Sequence, residues 1–235
     1  MTKQANKIQR WMDLTRSQDF LAPLFFRIFL APVFISAGLT KFAAFEDTVA
    51  WFGNPDWGLG LPFPWLMAFL ATTIELVGGF LLLFGLATRY IAIPLMFTML
   101  VAIFTVHWDD GWFAIAPSNP TTSMAKPLAD IGIPAAENSL ANSEAVGTRL
   151  QAIRNILREH GDYDWLTEKG SVVILNNGIE FAATYFIMLL SLFFTGAGRY
   201  LSLDYWIQRQ LNTRGKDSLS IQRTGVAQTA DLASD

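Results

Sequence analysis

The sequence predicts an all-α integral membrane protein: a bundle of four transmembrane helices with an extracytoplasmic amphipathic helix between the third and fourth. Three observations predict this fold. Charged residues make up only 16% of the chain and hydrophobic residues 52%, whereas a soluble domain has roughly 25% charged residues. Four apolar segments come close to the roughly 20 residues that cross a bilayer as a helix. The alternation of apolar and polar residues that membrane barrel strands require is absent.

The four apolar segments lack the polar stripe that a helix of a soluble bundle shows. Each is predicted to be helical, because lipid offers no hydrogen-bond partner to the backbone. The segments run from Phe20 to Phe42, Pro64 to Leu86, Tyr90 to Trp108 and Val172 to Thr195. The predicted organisation is an amphipathic cytoplasmic segment at 1–19, three helices within 20–108, an outer loop at 109–171, the fourth helix and its cap at 172–206, and a largely disordered tail at 207–235.

The distribution of Lys and Arg predicts the orientation. Basic residues concentrate at both ends of the chain and in the turn between the second and third helices. They are Lys3, Lys7, Arg10, Arg16, Arg89, Arg199, Arg209, Arg214, Lys216 and Arg223. The loop from Ala43 to Phe63 contains no Lys or Arg. We therefore expect a multi-pass protein of the bacterial cytoplasmic (inner) membrane with both termini in the cytoplasm. Basic residues in the long loop count little in this rule.

The long outer loop has two parts. Ala114 to Asn142 is rich in Ala, Ser, Pro and Asn and has no periodicity, which predicts an irregular, mobile segment. From Glu144 to Glu159 apolar residues recur at helical spacing, at Val146, Leu150, Ile153 and Leu157. This part is predicted to form an amphipathic helix that lies on the membrane surface or caps the bundle.

Several ionisable or amide side chains fall within or beside the predicted spans. A charge in hydrocarbon costs at least a few kcal/mol, so each needs a partner or a wet cavity. The candidate ligand-binding residues are Arg27, Lys41, Glu75, His107, Asn177 and Glu180. Counting depth along each helix puts Arg27 within snorkelling reach of Glu75. It puts His107 close in level to Lys41, and Glu180 about five residues from that level. This predicts a polar column from mid-membrane to the outer face.

Two interpretations of this column stay open. It forms a ligand pocket or proton path, in which Glu75 is the candidate for proton transfer. Alternatively, it is a set of buried ion pairs that determines helix register. In either case, we expect neighbouring helices to pack closely at Gly38, Gly78 and Gly79.

No metal site is predicted. The chain has no cysteine and two histidines, which excludes Fe–S clusters and thioether-attached haem. His160 lies in the outer loop, so a bis-histidine haem is not expected, and His107 is interpreted as a hydrogen-bonding residue. Net charge is −3, so no nucleic-acid partner is expected. Two weaker metal candidates are the loop cluster His160, Asp162 and Asp164, and, for copper, the sulfur atoms of Met96, Met99 and Met188.

Six features in register resemble the DoxX family. They are Arg27, Gly38-Leu-Thr-Lys41, Glu75-Leu-Val-Gly-Gly79, Gly85-Leu-Ala-Thr-Arg89, His107 and Gly196-Ala-Gly-Arg199-Tyr-Leu-Ser-Leu-Asp204. The resemblance implies a four-helix membrane bundle. Some members of the family are the quinone-linked membrane part of thiosulfate oxidation, and others assemble with oxidoreductases that manage oxidative or thiol stress. In its long outer loop the chain is similar to the HvfX-type subgroup, which is encoded with modified metal-binding peptides and their maturation enzymes.

The resemblance implies an accessory role in the maturation, export or handling of a metal-binding peptide, within a redox or metal-stress system. A protein or peptide partner would bind the outer loop, and lipid would surround the bundle. One alternative is a quinone-interacting subunit of a membrane oxidoreductase, with the quinone head group near Glu75 and with Arg27 or His107 as hydrogen-bonding partners. Another is a passive membrane scaffold. We expect no catalytic activity from the chain alone, because redox chemistry would need a partner that carries the cofactor.

Overall fold

The computed structural model describes residue 13 and residues 16–123 and 125–213. Most of the predicted N-terminal segment, and the predicted tail beyond residue 213, lie outside the described residues. The chain divides into two compact units. Unit 1 contains the residues up to Thr98 and those from Tyr185 onward, and unit 2 contains Met99–Thr184.

The described residues are mainly helical. In chain order the α-helices are α1 (Leu21–Ala43), α2 (Phe45–Gly53), α3 (Pro64–Phe84), α4 (Thr88–Ala102), α5 (Lys126–Asp130), α6 (Pro134–His160), α7 (Tyr163–Thr167), α8 (Glu180–Thr195) and α9 (residues 203–213). Helix α4 continues through a π turn at Ile103–His107 and a 3₁₀ turn at Trp108–Asp110.

Within the residues that the structure describes, three stretches are long and apolar enough to cross a membrane: Arg16–Ala43, Pro64–Phe84 and Thr88–Asp110. They correspond to the first three predicted spans. The fourth span was predicted to start at Val172, but α8 starts at Glu180 and has only 16 residues. A count of four spanning helices therefore stays a prediction.

The residues before α8 are extended, which corrects the predicted start of the fourth helix. The backbone N–H groups of Asn176 and Asn177 donate to the carbonyl of Ala114 at 2.9 and 3.0 Å, and Ala116 donates to Ile174 at 3.0 Å. Asn177 has a φ of +59°, a left-handed conformation that asparagine tolerates better than most residues. This conformation and the pairing end the extended segment just before the helix.

Helices α1 and α3 pack with their backbones in contact. A Cβ added at Gly38 would lie 2.7 Å from the backbone nitrogen of Leu76, and one added at Gly79 would lie 2.8 Å from that of Ile35. No side chain larger than hydrogen fits at either crossing point, as expected for closely packed membrane helices. Phe34, in the same contact face, is almost fully buried.

Helix α2 lies in the segment that was predicted to be a loop. It packs against α3, where the rings of Phe45 and Trp65 meet edge-to-face with their centroids 6.1 Å apart. Helix α2 therefore lies against the first turn of α3.

Unit 2 is more ordered than the sequence predicted. The segment 114–142 was expected to be irregular, but it contains α5 and the first turns of α6. Pro134 starts α6, where its missing N–H costs nothing, and Ala136 and Ser143 are buried on the helix. Val146 and Leu150 of the predicted apolar face are also buried, whereas Ile153 is exposed.

Helix α9, in unit 1, extends to residue 213 within the segment that was predicted to be disordered.

Candidate functional site

The central feature of unit 1 is an ion pair between α1 and α3. Lys41 Nζ donates a hydrogen bond to Glu75 Oε2 at 2.5 Å. The Glu75 side chain is only 7% exposed, while the Lys41 side chain is 25% exposed. The carboxylate is therefore enclosed, and the ammonium group forms the more accessible side of the pair.

The glycine crossing explains why these two side chains meet. Lys41 follows Gly38 by three residues, and Glu75 precedes Leu76 directly. The contact between Gly38 and the backbone of Leu76 therefore places Lys41 one turn along α1, beside Glu75. Depth counted separately along each helix led to a different expectation, in which Arg27 was the partner of Glu75. That count ignored the stagger between α1 and α3.

Glu75 lies near the middle of α3. It is 11 residues from Pro64 and 9 from Phe84, or about 16 Å and 13 Å at 1.5 Å per residue. Thr72 lies one turn earlier on the same buried face. Its Oγ1 is buried and has no hydrogen-bond partner within the described part of the chain. The site thus presents an ammonium group, a carboxylate and an uncommitted hydroxyl.

This donor set fits a ligand that carries carbonyl oxygens. The ammonium group and the hydroxyl donate hydrogen bonds, and the carboxylate holds or releases a proton. A quinone head group is a ligand of this kind. The hydroxyl of Thr72 was missed in the sequence, because a threonine inside an apolar helix commonly bonds to its own backbone.

Arg27 is 2% exposed and is committed to the backbone. Its guanidinium donates four hydrogen bonds, all to carbonyl oxygens. The acceptors are Leu82 (2.8 Å), Leu83 (3.0 Å), Ala197 (2.7 Å) and Leu201 (3.0 Å). A guanidinium has five N–H donors, so this set leaves little capacity for a ligand. Arg27 joins the C-terminal end of α3 to the segment that follows α8.

Asp204 joins the same elements and was missed in the sequence as a partner. Its carboxylate accepts hydrogen bonds from the backbone of Ala87 at 2.7 Å and Thr88 at 3.0 Å, and so caps α4. Its own backbone N–H donates to the Gly85 carbonyl at 3.0 Å. Gly85 has a φ of +63°, and a Cβ there would lie 2.5 Å from Arg27 Cζ. Two motifs that are distant in sequence are thus parts of one junction.

The remaining predicted site residues belong to unit 2. His107 Nδ1 lies 2.6 Å from the carbonyl oxygen of Asn177. Glu180 Oε2 accepts a hydrogen bond from the backbone of Ala114 at 3.0 Å. The side-chain amide of Asn176 donates to the carbonyls of Asp110 and Phe113. These side chains hold the paired segments 111–116 and 174–180 together. A polar column that joins them to Lys41 stays a prediction.

The described residues contain no group of three or more His, Cys, Asp or Glu that could hold a metal ion. In the candidate loop cluster, Asp162 accepts a hydrogen bond from the backbone of Trp165 at 3.1 Å and so caps α7. The quinone site stays a prediction, and copper stays the weaker candidate that the sequence offered.

The comparisons with known proteins identify a family of membrane proteins. The DoxX family model matches residues 22–108, which include Arg27, Lys41, Glu75 and His107. CatD of Bacillus subtilis, provisionally named an oxidoreductase, is 38% identical over 86 residues, or 37% of this chain and 60% of CatD. The inner membrane protein YphA of Escherichia coli is 31% identical over 111 residues, or 46% of this chain and 76% of YphA. No solved structure matches the chain. The chain therefore belongs to the DoxX family of membrane proteins.

Proposed function

We propose that this protein is the membrane subunit of an oxidoreductase system and that the Lys41–Glu75 pair binds the head group of a quinone. The observation that carries the proposal is the ion pair itself, enclosed at the middle of α3 and accompanied by the uncommitted hydroxyl of Thr72. The name of CatD, which describes that protein provisionally as an oxidoreductase, supports the same class of function.

Energetics favour a functional over a purely structural ion pair. Burying two opposite charges costs several kcal/mol of desolvation per ion, and apolar residues of similar size often stabilise a protein as well or better. The pair at Lys41 and Glu75 is thus a poor device for stability alone. Glu75 is enclosed, while Lys41 is partly exposed, so a ligand reaches the pair from the Lys41 side.

The roles of the residues follow from their donor capacity. Lys41 donates a hydrogen bond to a carbonyl oxygen, and Thr72 supplies a second donor. Glu75 holds or releases a proton at the carboxyl oxygen that does not accept from Lys41, as proton-handling carboxylates inside membranes do. A bound quinone would supply the two-electron chemistry, and a redox partner protein would supply or accept the electrons.

The test measures quinone retained by the full-length protein after purification from native membranes in mild detergent. We expect the wild-type protein to retain quinone and the Glu75→Gln variant to retain at least ten-fold less quinone. The matched control is Glu46→Gln, which removes an exposed carboxylate on α2 and should retain as much as wild type. Absence of quinone from wild type, or equal retention in Glu75→Gln, contradicts the proposal.

A double variant separates function from stability. Lys41→Met with Glu75→Leu removes both charges and leaves neither buried alone, so we expect it to accumulate in the membrane at wild-type level. We expect it to bind no quinone. A double variant that still retained quinone would assign the pair to helix register only.

A specific observation favours a second candidate function, which is an accessory role towards a protein or peptide partner. The partner would be of the metal-binding kind that is expected from the HvfX-type subgroup. Unit 2 exposes large apolar side chains, among them Ile131 (73% exposed), Ile156 (58%) and Trp165 (70%). Ile131 precedes the start of α6 and Ile156 lies near its end, so they are separate candidate contacts for a partner rather than one patch. This role is compatible with the first one, because its residues lie in a different unit.

A further inference from the structure

Unit 1 contains a cavity of about 460 Å³ that the proposed quinone site does not use. Its lining includes Arg89 and Tyr90 from the first turn of α4, Gly196 and Arg199 from the segment after α8, and Tyr205 and Gln208 from α9. Lys41, Thr72 and Glu75 do not line it.

The charges around this cavity leave one arginine available for an anion. Arg199 is paired with Asp19, its Nη2 lying 2.5 Å from Oδ1, and this hydrogen bond raises the pKa of Arg199. Asp204 is occupied by the amides at the start of α4. Arg89 donates one hydrogen bond, from Nη2 to the carbonyl of Phe194 at 3.0 Å, and is in no ion pair with the described carboxylates. Its charge and remaining donors are therefore uncommitted.

Helix α9 indicates the level of the cavity in the membrane. Its exposed apolar residues are Leu203, Trp206, Ile207 and Leu211. The spacing of these four places them on one helix face, while Tyr205 and Gln208 line the cavity. A helix with such a stripe lies in the plane of the interface, with its apolar face in the boundary between headgroups and acyl chains. The cavity beside α9 therefore lies at the level of the lipid phosphates.

We propose that this cavity binds a phosphate group and that Arg89 is its principal ligand. The guanidinium fork is positively charged and matches the geometry of phosphate oxygens. Tyr90, Tyr205 and Gln208 line the cavity and supply neutral hydrogen-bond donors. The phosphate belongs to an anionic phospholipid or to a soluble ligand, and both sources share this chemistry. The proposal is independent of the proposed quinone site.

Native mass spectrometry of the full-length protein, released from nanodiscs, tests the proposal. In nanodiscs of phosphatidylcholine with phosphatidylglycerol and cardiolipin, we expect wild type to retain one anionic lipid. Arg89→Gln should retain at least ten-fold less. The matched control is Arg209→Gln, because Arg209 lies on α9 but does not line the cavity. Arg89→Lys keeps the charge without the fork and should retain an intermediate amount.

A second arm distinguishes the two sources. Inorganic phosphate is titrated into protein in nanodiscs of phosphatidylcholine alone, and binding is followed by calorimetry. Saturable binding that Arg89→Gln abolishes assigns the cavity to a soluble phosphate ligand. Retention of lipid without this binding assigns it to a phospholipid. The proposal is overturned if Arg89→Gln reduces binding in neither arm. It is also overturned if Arg209→Gln reduces binding as much as Arg89→Gln does.

Discussion

At the scale of single residues, the buried charges of unit 1 have different roles that follow from their partners. Arg27 meets four backbone carbonyls, whose positions are set by the fold. Among the described residues, the side chains of Lys41 and Glu75 form a hydrogen bond only with each other, and Lys41 is partly exposed. A cation surrounded by backbone acceptors stabilises structure, whereas a partly accessible ion pair can exchange its partner for a ligand.

Arg27→Met should destabilise the protein strongly. It removes four buried hydrogen bonds and leaves carbonyls without donors, which we estimate to cost roughly 3 kcal/mol or more. At about 2–4 °C per kcal/mol, the midpoint of thermal unfolding in detergent should fall by roughly 6–12 °C. The control Arg199→Gln removes an exposed arginine and should shift the midpoint far less, because exposed ion pairs contribute little. An unchanged midpoint with lost quinone would instead place Arg27 in the ligand site.

At the scale of helices, the register of α1 against α3 connects packing to the candidate site. The backbone contact at Gly38 determines which residues face each other one turn further along. The site therefore depends on a residue that carries no functional group.

Gly38→Ala tests this connection. Its added Cβ would lie 2.7 Å from a backbone atom of α3, so the helices must move apart or slide. We expect a loss of about 1–3 kcal/mol from overpacking together with reduced quinone retention. Ser36→Ala is the control, because Ser36 is exposed on the same helix. Normal quinone retention in Gly38→Ala would show that the ion pair does not depend on this register.

The helices also show what the sequence predicts and what it does not. Long, predominantly apolar runs predicted α1 and α3 because burial in lipid leaves a helix as the only option. Residues 172–175 continue such a run, but Asn176, Asn177 and Gly178 interrupt it, and the backbone of the segment pairs with residues 111–116. The Asn-Gly pair is a turn signal that the predicted start of the fourth helix overlooked. In the site, residue types predicted Lys41 and Glu75 as candidates. Their pairing was not predictable, because it depends on helix stagger, and the partners of Arg27 are backbone atoms common to every residue.

At the scale of the whole molecule, the chain combines a family core with a large additional unit. The family model ends at residue 108, so most of unit 2, Met99–Thr184, lies outside it. Both candidate ligand sites lie in unit 1. A redox function and a partner-binding function can therefore be separated by mutation, since their residues belong to different units.

Ile131→Ser with Ile156→Ser removes two exposed apolar side chains of unit 2 and should leave stability almost unchanged, since exposed substitutions usually have small effects. We expect proteins that co-purify with wild type from native membranes to decrease at least five-fold by quantitative mass spectrometry, while quinone retention stays at wild-type level. The control is Gln151→Ser, which replaces an exposed polar side chain on α6 with a smaller polar one. This control should preserve both the co-purifying proteins and quinone retention. If the double variant kept its partners but lost quinone, unit 2 would contribute to the redox site, and the separation of functions by unit would be wrong.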